Sequence, residues 1–217
     1  FDAAIKESSK VLAIRGSVVP STLEKVTLFA EHLDGSRSVG ESNIPEAKSP
    51  VKRVNLMPKT SRPTNEAVDA IRKSDVIVLG PGSLYTSIIP NLLVKGIYHE
   101  IVRSRAIKIY ICNVMTQKGE TAGYKASDHL KAILDHAGPG VVTYCVVNTA
   151  KVPDNMLDKY KEQDSYPVIP DIENIKKMRC RVVEGNLISA ADFVRHDSVK
   201  LARVTMDLIA GVKKFKI

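Results

Sequence analysis

A glycine turn followed by hydroxyl side chains is the feature of this sequence best suited to chemistry. The apolar segment Val76–Leu79 has the length and β-branched content of a buried strand, and it runs into Gly80, Pro81 and Gly82. Backbone N–H groups at a helix start lack partners within the helix and favour an anion, and glycine lets a ligand approach the backbone closely. We interpret the turn as a candidate phosphate site, and an ordinary capped strand-to-helix turn is the alternative. The side chains that complete it are Ser83, Tyr85, Thr86 and Ser87.

The turn matches none of the common nucleotide or nucleophile motifs. A dinucleotide fingerprint needs a third glycine where Tyr85 stands, and a P-loop needs a Gly-Lys-Ser/Thr that is absent here. A serine-hydrolase elbow centred on Ser83 fails because Pro81 and Tyr85 occupy its two glycine positions. The glycine turn therefore predicts an anion site without specifying the ligand.

Asparagines follow two later apolar segments that resemble buried strands. Asn113 follows Ile107–Cys112, and Asn148 follows Val141–Val147. Ligands of parallel sheets bind beyond the carboxyl ends of the strands, so we expect both asparagines to share an edge with Gly80. Each amide can bind both a donor and an acceptor, as a sugar or a uracil ring requires. The alternative is that both only close Asx turns.

The loop after Asn113 adds a polar group to the same predicted edge. Glu120 is its only carboxylate, and it could coordinate Mg²⁺ or act as a base, although one carboxylate is weak evidence for either role. We assign no catalytic residue and no metal-ligand set. The loop side chains that we include as ligand-binding candidates are Thr116, Gln117, Glu120 and Thr121.

The segment VRHDS near the end of the chain supplies a candidate cation. Arg195 offers a planar fork suited to a diphosphate, just before a predicted final helix, Val199–Lys213. His196 has no carboxylate partner at triad-like spacing, so we assign it to packing or capping. We expect Asp197 or Ser198 to cap that helix, and Ser198 is also a candidate for phosphorylation.

The elements that must position these residues alternate in type. Strands followed by helices without a hairpin signal predict parallel strands joined by crossover helices. Between residues 17 and 58 the pattern changes, and it predicts an antiparallel meander or cap with strands near Val26–Leu33, Ser38–Glu41 and Val51–Met57. The helices that we predict are Asp2–Ile14, Thr64–Ser74, Asn91–Ile101 with Pro90 in its first turn, Ser127–Ala137 with Ser127 as its cap, and Met156–Lys161.

Composition narrows the class of protein. A chain of 217 residues with 44% hydrophobic residues can bury a substantial core. The net charge is +8, but the basic residues are scattered and aromatic residues are only 5%, so we expect a solvated basic surface rather than nucleic-acid binding. No apolar run is long enough to span a membrane. Three isolated cysteines suggest buried reduced thiols and a cytoplasmic protein.

Several long segments together resemble the YvcK-type gluconeogenesis factors of the CofD-like family. They are LGPGSLYTSIIPNLLVKGI, YICNVMTQKGET, SDHLKAIL, VRHD, RGSVVPST and the GESNIP loop. The resemblance covers essentially the whole chain and implies a Rossmann-like, three-layer α/β fold with a mostly parallel central sheet. Relatives begin with a glycine-rich loop and an Asp-rich segment that this sequence lacks. We therefore expect residues 1–217 to be one domain of a longer protein, carrying part of a nucleotide site.

The resemblance also implies function. The YvcK-type branch binds UDP-sugars such as UDP-N-acetylglucosamine and supports cell shape and wall synthesis during gluconeogenic growth, with the arginine matching Arg195 holding the UDP-sugar. Ser198 matches a hydroxyl that a protein kinase phosphorylates in that branch. The related phospholactate transferases, which use a guanylylated donor to make a deazaflavin cofactor, imply an alternative in which Mg²⁺ takes part. A non-catalytic interaction module is a third hypothesis, and a homo-oligomer stays open.

Overall fold

The computed structural model describes residues 16–190 and 194–214, so the predicted helix Asp2–Ile14 lies outside the described residues. The strands are β1 Thr27–His32, β2 Arg37–Val39, β3 Val51–Met57, β4 Val76–Leu79, β5 Ile107–Ile111, β6 Tyr144–Asn148, β7 Arg181–Gly185, β8 Ile188–Ala190 and β9 Val194–His196. The helices are α1 Asn65–Lys73, α2 Ile89–Leu93, α3 Ile97–Arg103, α4 Ala126–Ala137, α5 Asp154–Lys161, α6 Ile172–Lys177 and α7 Ser198–Lys214, and a π-helical turn, Leu84–Ile88, leads directly into α2.

Four parallel strands in the order β4-β5-β6-β7 form the main sheet and confirm the predicted α/β class. Helices cover both faces. One face, which includes Tyr110 and Cys145, packs with Leu130 and Ile133 of α4. The other face packs against α7. These three layers of helix, sheet and helix are the architecture that the resemblance implies.

We expected β4 to be a buried strand, but it lies at an edge of the sheet formed by the described residues. Its exposure fits this position, since Val78 is 44% exposed whereas every residue of β5 is buried. The four-residue apolar run identified the strand correctly, but hydrophobicity alone does not specify how many neighbours a short strand has.

The predicted antiparallel sheet is present, with a strand order that differs from a meander. The order is β2-β1-β3, so β3 pairs with β1 and not with β2. The centre of β1 is well buried on one face, where the ring of His32 contacts the Ser38 hydroxyl at 2.8 Å and the Ser49 carbonyl at 2.9 Å. The loop between β2 and β3 is long enough to return the chain to the far side of β1.

Two helix starts differ from the prediction. Helical backbone after the glycine turn begins at Leu84, and the predicted Asn91–Ile101 helix is divided at Gly96, which has φ +101°. Ser127 does not cap α4, because it lies inside the first turn and donates its hydroxyl hydrogen to Asp171 at 2.5 Å. Lys125 precedes α4 instead, and its N–H donates to Asp128 at 2.8 Å. The prediction that Thr64 caps α1 is confirmed by its contact with the Ala67 N–H at 3.1 Å.

His136 joins α4 to the antiparallel sheet and supports a prediction about stability. Its Nδ1–H donates to the Ala132 carbonyl at 2.6 Å, and its Nε2 accepts the N–H of buried Val54 at 3.0 Å. Replacing His136 by phenylalanine removes this acceptor, and we expect a loss of about 1–3 kcal/mol in the free energy of unfolding. Urea denaturation at pH 7.5 measures the loss, with His99→Phe at an exposed position as the control. Equal midpoints for the two variants would contradict the prediction.

The same contact makes stability depend on pH. Burial lowers the pKa of His136 below its ordinary value of 6.5, and the Ala132 carbonyl offsets part of this effect. Because the folded pKa lies below the unfolded one, the stabilisation is present above about pH 6.5 and is lost as the pH falls below it. The difference in stability between the parent and His136→Phe should therefore shrink between pH 7.5 and pH 5.

The pair β8 and β9 is an antiparallel hairpin that the sequence did not predict. The hydroxyl of Tyr160 anchors it, because this oxygen accepts the Val194 N–H at 2.8 Å. Val194 and Ile188 are buried with Val114, which follows β5. The hairpin therefore sits at the carboxyl edge of the main sheet.

Candidate functional site

The glycine turn follows β4, and at Gly80 both the backbone conformation and the surrounding space favour glycine. Gly80 has φ +81°, and a Cβ there would lie 3.0 Å from Ile88 Cδ1 and 3.2 Å from the Ile111 carbonyl oxygen. The Gly80–Pro81 peptide is cis. The turn therefore packs closely against the end of β5. The π-helical turn begins directly after it.

A carboxylate from the same protein occupies part of the helix start. Glu120 is 2% exposed, and its two oxygens accept the Tyr85 N–H at 2.9 Å and the Thr86 hydroxyl at 2.8 Å. The side-chain amide of Gln117 donates to it at 3.2 Å. Burial raises the pKa of Glu120, and the hydrogen bonds from Thr86 and Tyr85 offset part of that increase. Two donors of the candidate phosphate site, the Tyr85 N–H and the Thr86 hydroxyl, are therefore already used within the protein.

The backbone N–H groups that remain without an acceptor precede Tyr85 in the turn. Within the described residues, the amides of Gly82, Ser83 and Leu84 find no acceptor. The Ser83 carbonyl closes the π-helical turn by accepting the N–H groups of Ser87 at 2.9 Å and Ile88 at 3.0 Å. Three consecutive backbone N–H groups without acceptors, one of them on the half-buried Gly82, are donors of the kind that can bind an anion.

The side chain of Tyr85 does not reach this surface. Tyr85 is 2% exposed, and its hydroxyl lies 2.7 Å from the hydroxyl of Tyr124. Burial and the Tyr124 contact raise the pKa of Tyr85 well above its usual range. Its ring is a core group, which removes it from the ligand-binding side chains that the sequence suggested.

Thr116 and Thr121 are used inside the loop. Thr116 is 4% exposed and accepts the Tyr166 N–H at 2.8 Å, while its carbonyl accepts the Ser165 hydroxyl. Thr121 is 1% exposed and accepts the Gln117 N–H at 2.9 Å. These two threonines shape the loop that carries Glu120 and offer no open surface to a ligand.

The Glu120 loop also contacts the loop between β2 and β3. Gly119 has φ +75°, and a Cβ there would lie 1.9 Å from the Pro45 carbonyl oxygen. A cavity of about 640 Å³ lies where the two loops meet, and Lys48 and Lys118 are among the residues that line it. The antiparallel sheet therefore fixes the position of Glu120 from the outside.

Asn113 and Asn148 lie side by side at the carboxyl edge. Ile111 is opposite Val146 in the sheet, and continuing that register by two residues places the two asparagines opposite each other. Both polar ends of the Asn148 side chain are used, because its Oδ1 accepts the Leu187 N–H at 3.0 Å and its Nδ2 donates to the Ala150 carbonyl at 2.9 Å. Asn113 Oδ1 is buried and has no partner among the described residues. Asn113 is thus better placed than Asn148 to bind a ligand.

Arg195 lies at the same carboxyl edge of the sheet. It is exposed on β9, and the alternation along the strand directs its neighbours Val194 and His196 towards the protein. His196 contacts the backbone of Cys112 at the end of β5, and its Nε2 is buried without a partner among the described residues. Sequence reasoning had assigned His196 to packing, and only the sheet register shows how close it lies to Asn113.

The remaining reactive groups are inert in this structure. Burial raises the pKa of Cys112 and of Cys180 to about 12, and that of Cys145 well above its usual value. All three are free, buried thiols. Over residues 16–190 and 194–214, no group of three or more His, Cys, Asp or Glu side chains is arranged to hold a metal. None of the helices there is both long and apolar enough to cross a bilayer.

Several proteins of known sequence or structure are similar to this chain. The chain is 46% identical over 208 residues to a gluconeogenesis factor from Halalkalibacterium halodurans, and 45% identical over 210 residues to one from Bacillus subtilis, covering 95% and 96% of this chain. These alignments cover 65% and 66% of the relatives, so the chain spans slightly less than two thirds of their length. A crystal structure of a UPF0052 family member from Bacillus halodurans superposes with a TM-score of 0.91 at 45% identity, covering 94% of this chain and 67% of the other.

The family model of 2-phospho-L-lactate transferase CofD matches residues 1–188, which include the glycine turn, Glu120 and both strand-end asparagines. The match covers most of the chain, and the relatives named gluconeogenesis factor extend it through Arg195 and into α7. The chain therefore belongs to the CofD family.

Proposed function

We propose that this protein binds a UDP-sugar of the UDP-N-acetylglucosamine type and acts as a regulator in gluconeogenic growth and in the maintenance of cell shape and wall. Its high identity to gluconeogenesis factors supports the regulatory role. The observation that carries ligand binding is the row of partnerless amides from Gly82 to Leu84 at the carboxyl edge, beside Asn113. The UDP-sugar assignment extends the resemblance of the sequence to the YvcK-type branch.

The diphosphate in this proposal rests on the Gly82–Leu84 amides, with the Ser83 and Ser87 hydroxyls as further donors. Glu120 lies close beyond them, and its oxygens already accept the Tyr85 N–H and the Thr86 hydroxyl hydrogen. Arg195 supplies a compensating positive charge from the same edge of the sheet. In this proposal the side chain of Asn113 binds the sugar or the uracil.

Gly82→Ala tests whether the Gly82–Leu84 amides bind the diphosphate, and the substitution should not disturb the fold. A Cβ at Gly82 would find only ordinary contacts, with Ser87 Cβ at 3.6 Å and Ile88 Cγ1 at 3.8 Å. Thermal unfolding should therefore stay close to that of the parent. Affinity for UDP-N-acetylglucosamine should fall about tenfold, because the new methyl group stands over the amides.

Isothermal titration of the parent and of Gly82→Ala with UDP-N-acetylglucosamine measures this effect, and GDP serves as a comparison ligand. Half-buried Gly211, where a Cβ would meet nothing within 4 Å, provides a matched Gly→Ala control on α7. An absence of binding heat from the parent would refute UDP-sugar binding. Unchanged affinity in Gly82→Ala would move the diphosphate away from this turn.

A second candidate is the phospholactate transferase activity after which the family model is described. It predicts Mg²⁺-dependent turnover of a guanylylated donor with a deazaflavin acceptor. Glu120 is the carboxylate nearest the turn, and its three hydrogen-bond donors leave it poorly available to a metal ion. Lack of turnover in a protein that binds UDP-N-acetylglucosamine would favour the regulatory function.

We also propose a cytoplasmic location, supported by three buried reduced thiols, and regulation by a protein kinase at Ser198. Ser198 is the exposed first residue of α7, and Asp197 caps that helix by accepting the N–H groups of Val199 and Lys200 at 3.0 Å. A phosphate on Ser198 would stand three residues after Arg195, so it could alter ligand affinity through charge.

A further inference from the structure

Two buried acceptor atoms without partners lie at the carboxyl edge of the sheet. Asn113 Oδ1 and His196 Nε2 are both enclosed and find no donor within the described residues. Leaving a buried polar atom unpaired costs about 1–3 kcal/mol, so such atoms usually mark a bound ligand or an ordered water. The two atoms come from segments far apart in sequence.

The structure brings these two residues to the same edge of the main sheet. His196 contacts the Cys112 backbone, and Asn113 is the next residue along the chain. Val114 on the other side of Asn113 packs with Ile188, the residue opposite His196 in the hairpin. Asn113 is therefore flanked on both sides by contacts with the hairpin that carries His196.

The hydrogen-bonding role of each atom follows from its partners. We assign the His196 proton to Nδ1, because Nε2 is the ring nitrogen that is buried without a partner among the described residues. A ring whose proton resides on Nδ1 presents Nε2 as an acceptor. Asn113 Oδ1 is also an acceptor. Two neighbouring acceptors suit a ligand that offers two donors.

We propose that Asn113 and His196 form a subsite that accepts hydrogen bonds from the vicinal hydroxyls of a sugar. This inference rests on the proposed function, because it assigns Asn113 and His196 to the sugar of the ligand whose diphosphate binds the Gly82–Leu84 amides. A ribose diol and the hydroxyls of the pyranose both carry this chemistry. Asn148 acts as a positioning residue, since it holds the Leu187 N–H while the Leu187 carbonyl accepts the N–H of Asp197 at 2.8 Å.

The test is a double-mutant cycle between ligand and protein. UDP, 2′-deoxy-UDP and UDP-N-acetylglucosamine are titrated into the parent, His196→Phe, Asn113→Leu and His196→Gln. We expect the parent to prefer UDP over 2′-deoxy-UDP about tenfold, and His196→Phe to lose that preference. His196→Gln retains an oxygen acceptor and should keep part of it. If the preference that disappears is instead the one for UDP-N-acetylglucosamine over UDP, the diol belongs to the pyranose.

His129→Phe is the matched control. His129 is another buried histidine with a partnerless Nε2, but it is fully enclosed within α4 and away from the edge. Its replacement should leave every ligand preference unchanged, and the unfolding midpoint of each variant verifies folding. Parent-like preferences in both His196→Phe and Asn113→Leu would overturn the inference while leaving the proposed function intact. A parent that binds none of the three ligands would overturn both.

Discussion

Replacing Gly119 by alanine should lower the free energy of unfolding by about 3 kcal/mol, combining left-handed backbone strain with a steric clash. Gly119 has φ +75°, and the added Cβ would lie 1.9 Å from the Pro45 carbonyl oxygen and 2.5 Å from its carbon. Both of these Pro45 atoms belong to the backbone, so no side-chain rotation relieves the clash. The loop has to move, and Glu120 moves with it.

Gly123→Ala is a control within the same loop. Gly123 has φ +74°, but a Cβ there meets nothing within 4 Å. This variant therefore carries only the backbone strain, and we expect a loss of about 1 kcal/mol. Chemical denaturation compares the two variants, and the amide resonance of Tyr85 reports whether Glu120 still accepts its N–H. Similar losses for both would show that the Pro45 contact is not tight in solution.

Replacing Arg195 by alanine should weaken UDP-N-acetylglucosamine binding about 30-fold, because a charge-assisted bond to a phosphate contributes about 2 kcal/mol. Arg195 is exposed on β9, and the unfolding midpoints of the parent and the variant verify that both are folded. The affinity lost should shrink as salt increases, since ions screen an exposed charge. Titration calorimetry at two salt concentrations measures both effects.

Two further variants sharpen the Arg195 result. Arg195→Lys keeps the charge but loses the planar fork, so its affinity should fall between those of the parent and the alanine variant. Arg203→Ala removes an exposed arginine from α7 and should leave binding near the parent value. Equal losses in Arg195→Ala and Arg203→Ala would indicate a general effect of net charge, and Arg195 would lose its assigned role.

Local sequence patterns were sufficient for most single elements. The apolar run Val76–Leu79 gave β4 with its observed bounds, and Val51–Met57 did the same for β3. Thr64 and Asp197 cap their helices because a short polar side chain before an amphipathic run satisfies the first amides. These features depend on neighbours in sequence, which is why they could be predicted.

Features that depend on distant contacts could not be predicted. The order β2-β1-β3, the edge position of β4 and the β8–β9 hairpin all follow from packing between segments far apart in the chain. Ser127 shows the same limit, because we predicted that it caps α4, whereas its hydroxyl donates to Asp171, 44 residues away.

By itself the sequence determined the α/β class, the glycine turn after β4, the asparagines at the strand ends and the resemblance to the CofD family. Only the tertiary structure decided which of these groups are open. It placed Glu120 on the amide of Tyr85, enclosed Thr116 and Thr121, and left Asn113 Oδ1 and His196 Nε2 unpaired. The physical reason is that a residue's type fixes which hydrogen bonds it can make, whereas packing between distant segments decides which of them are already made.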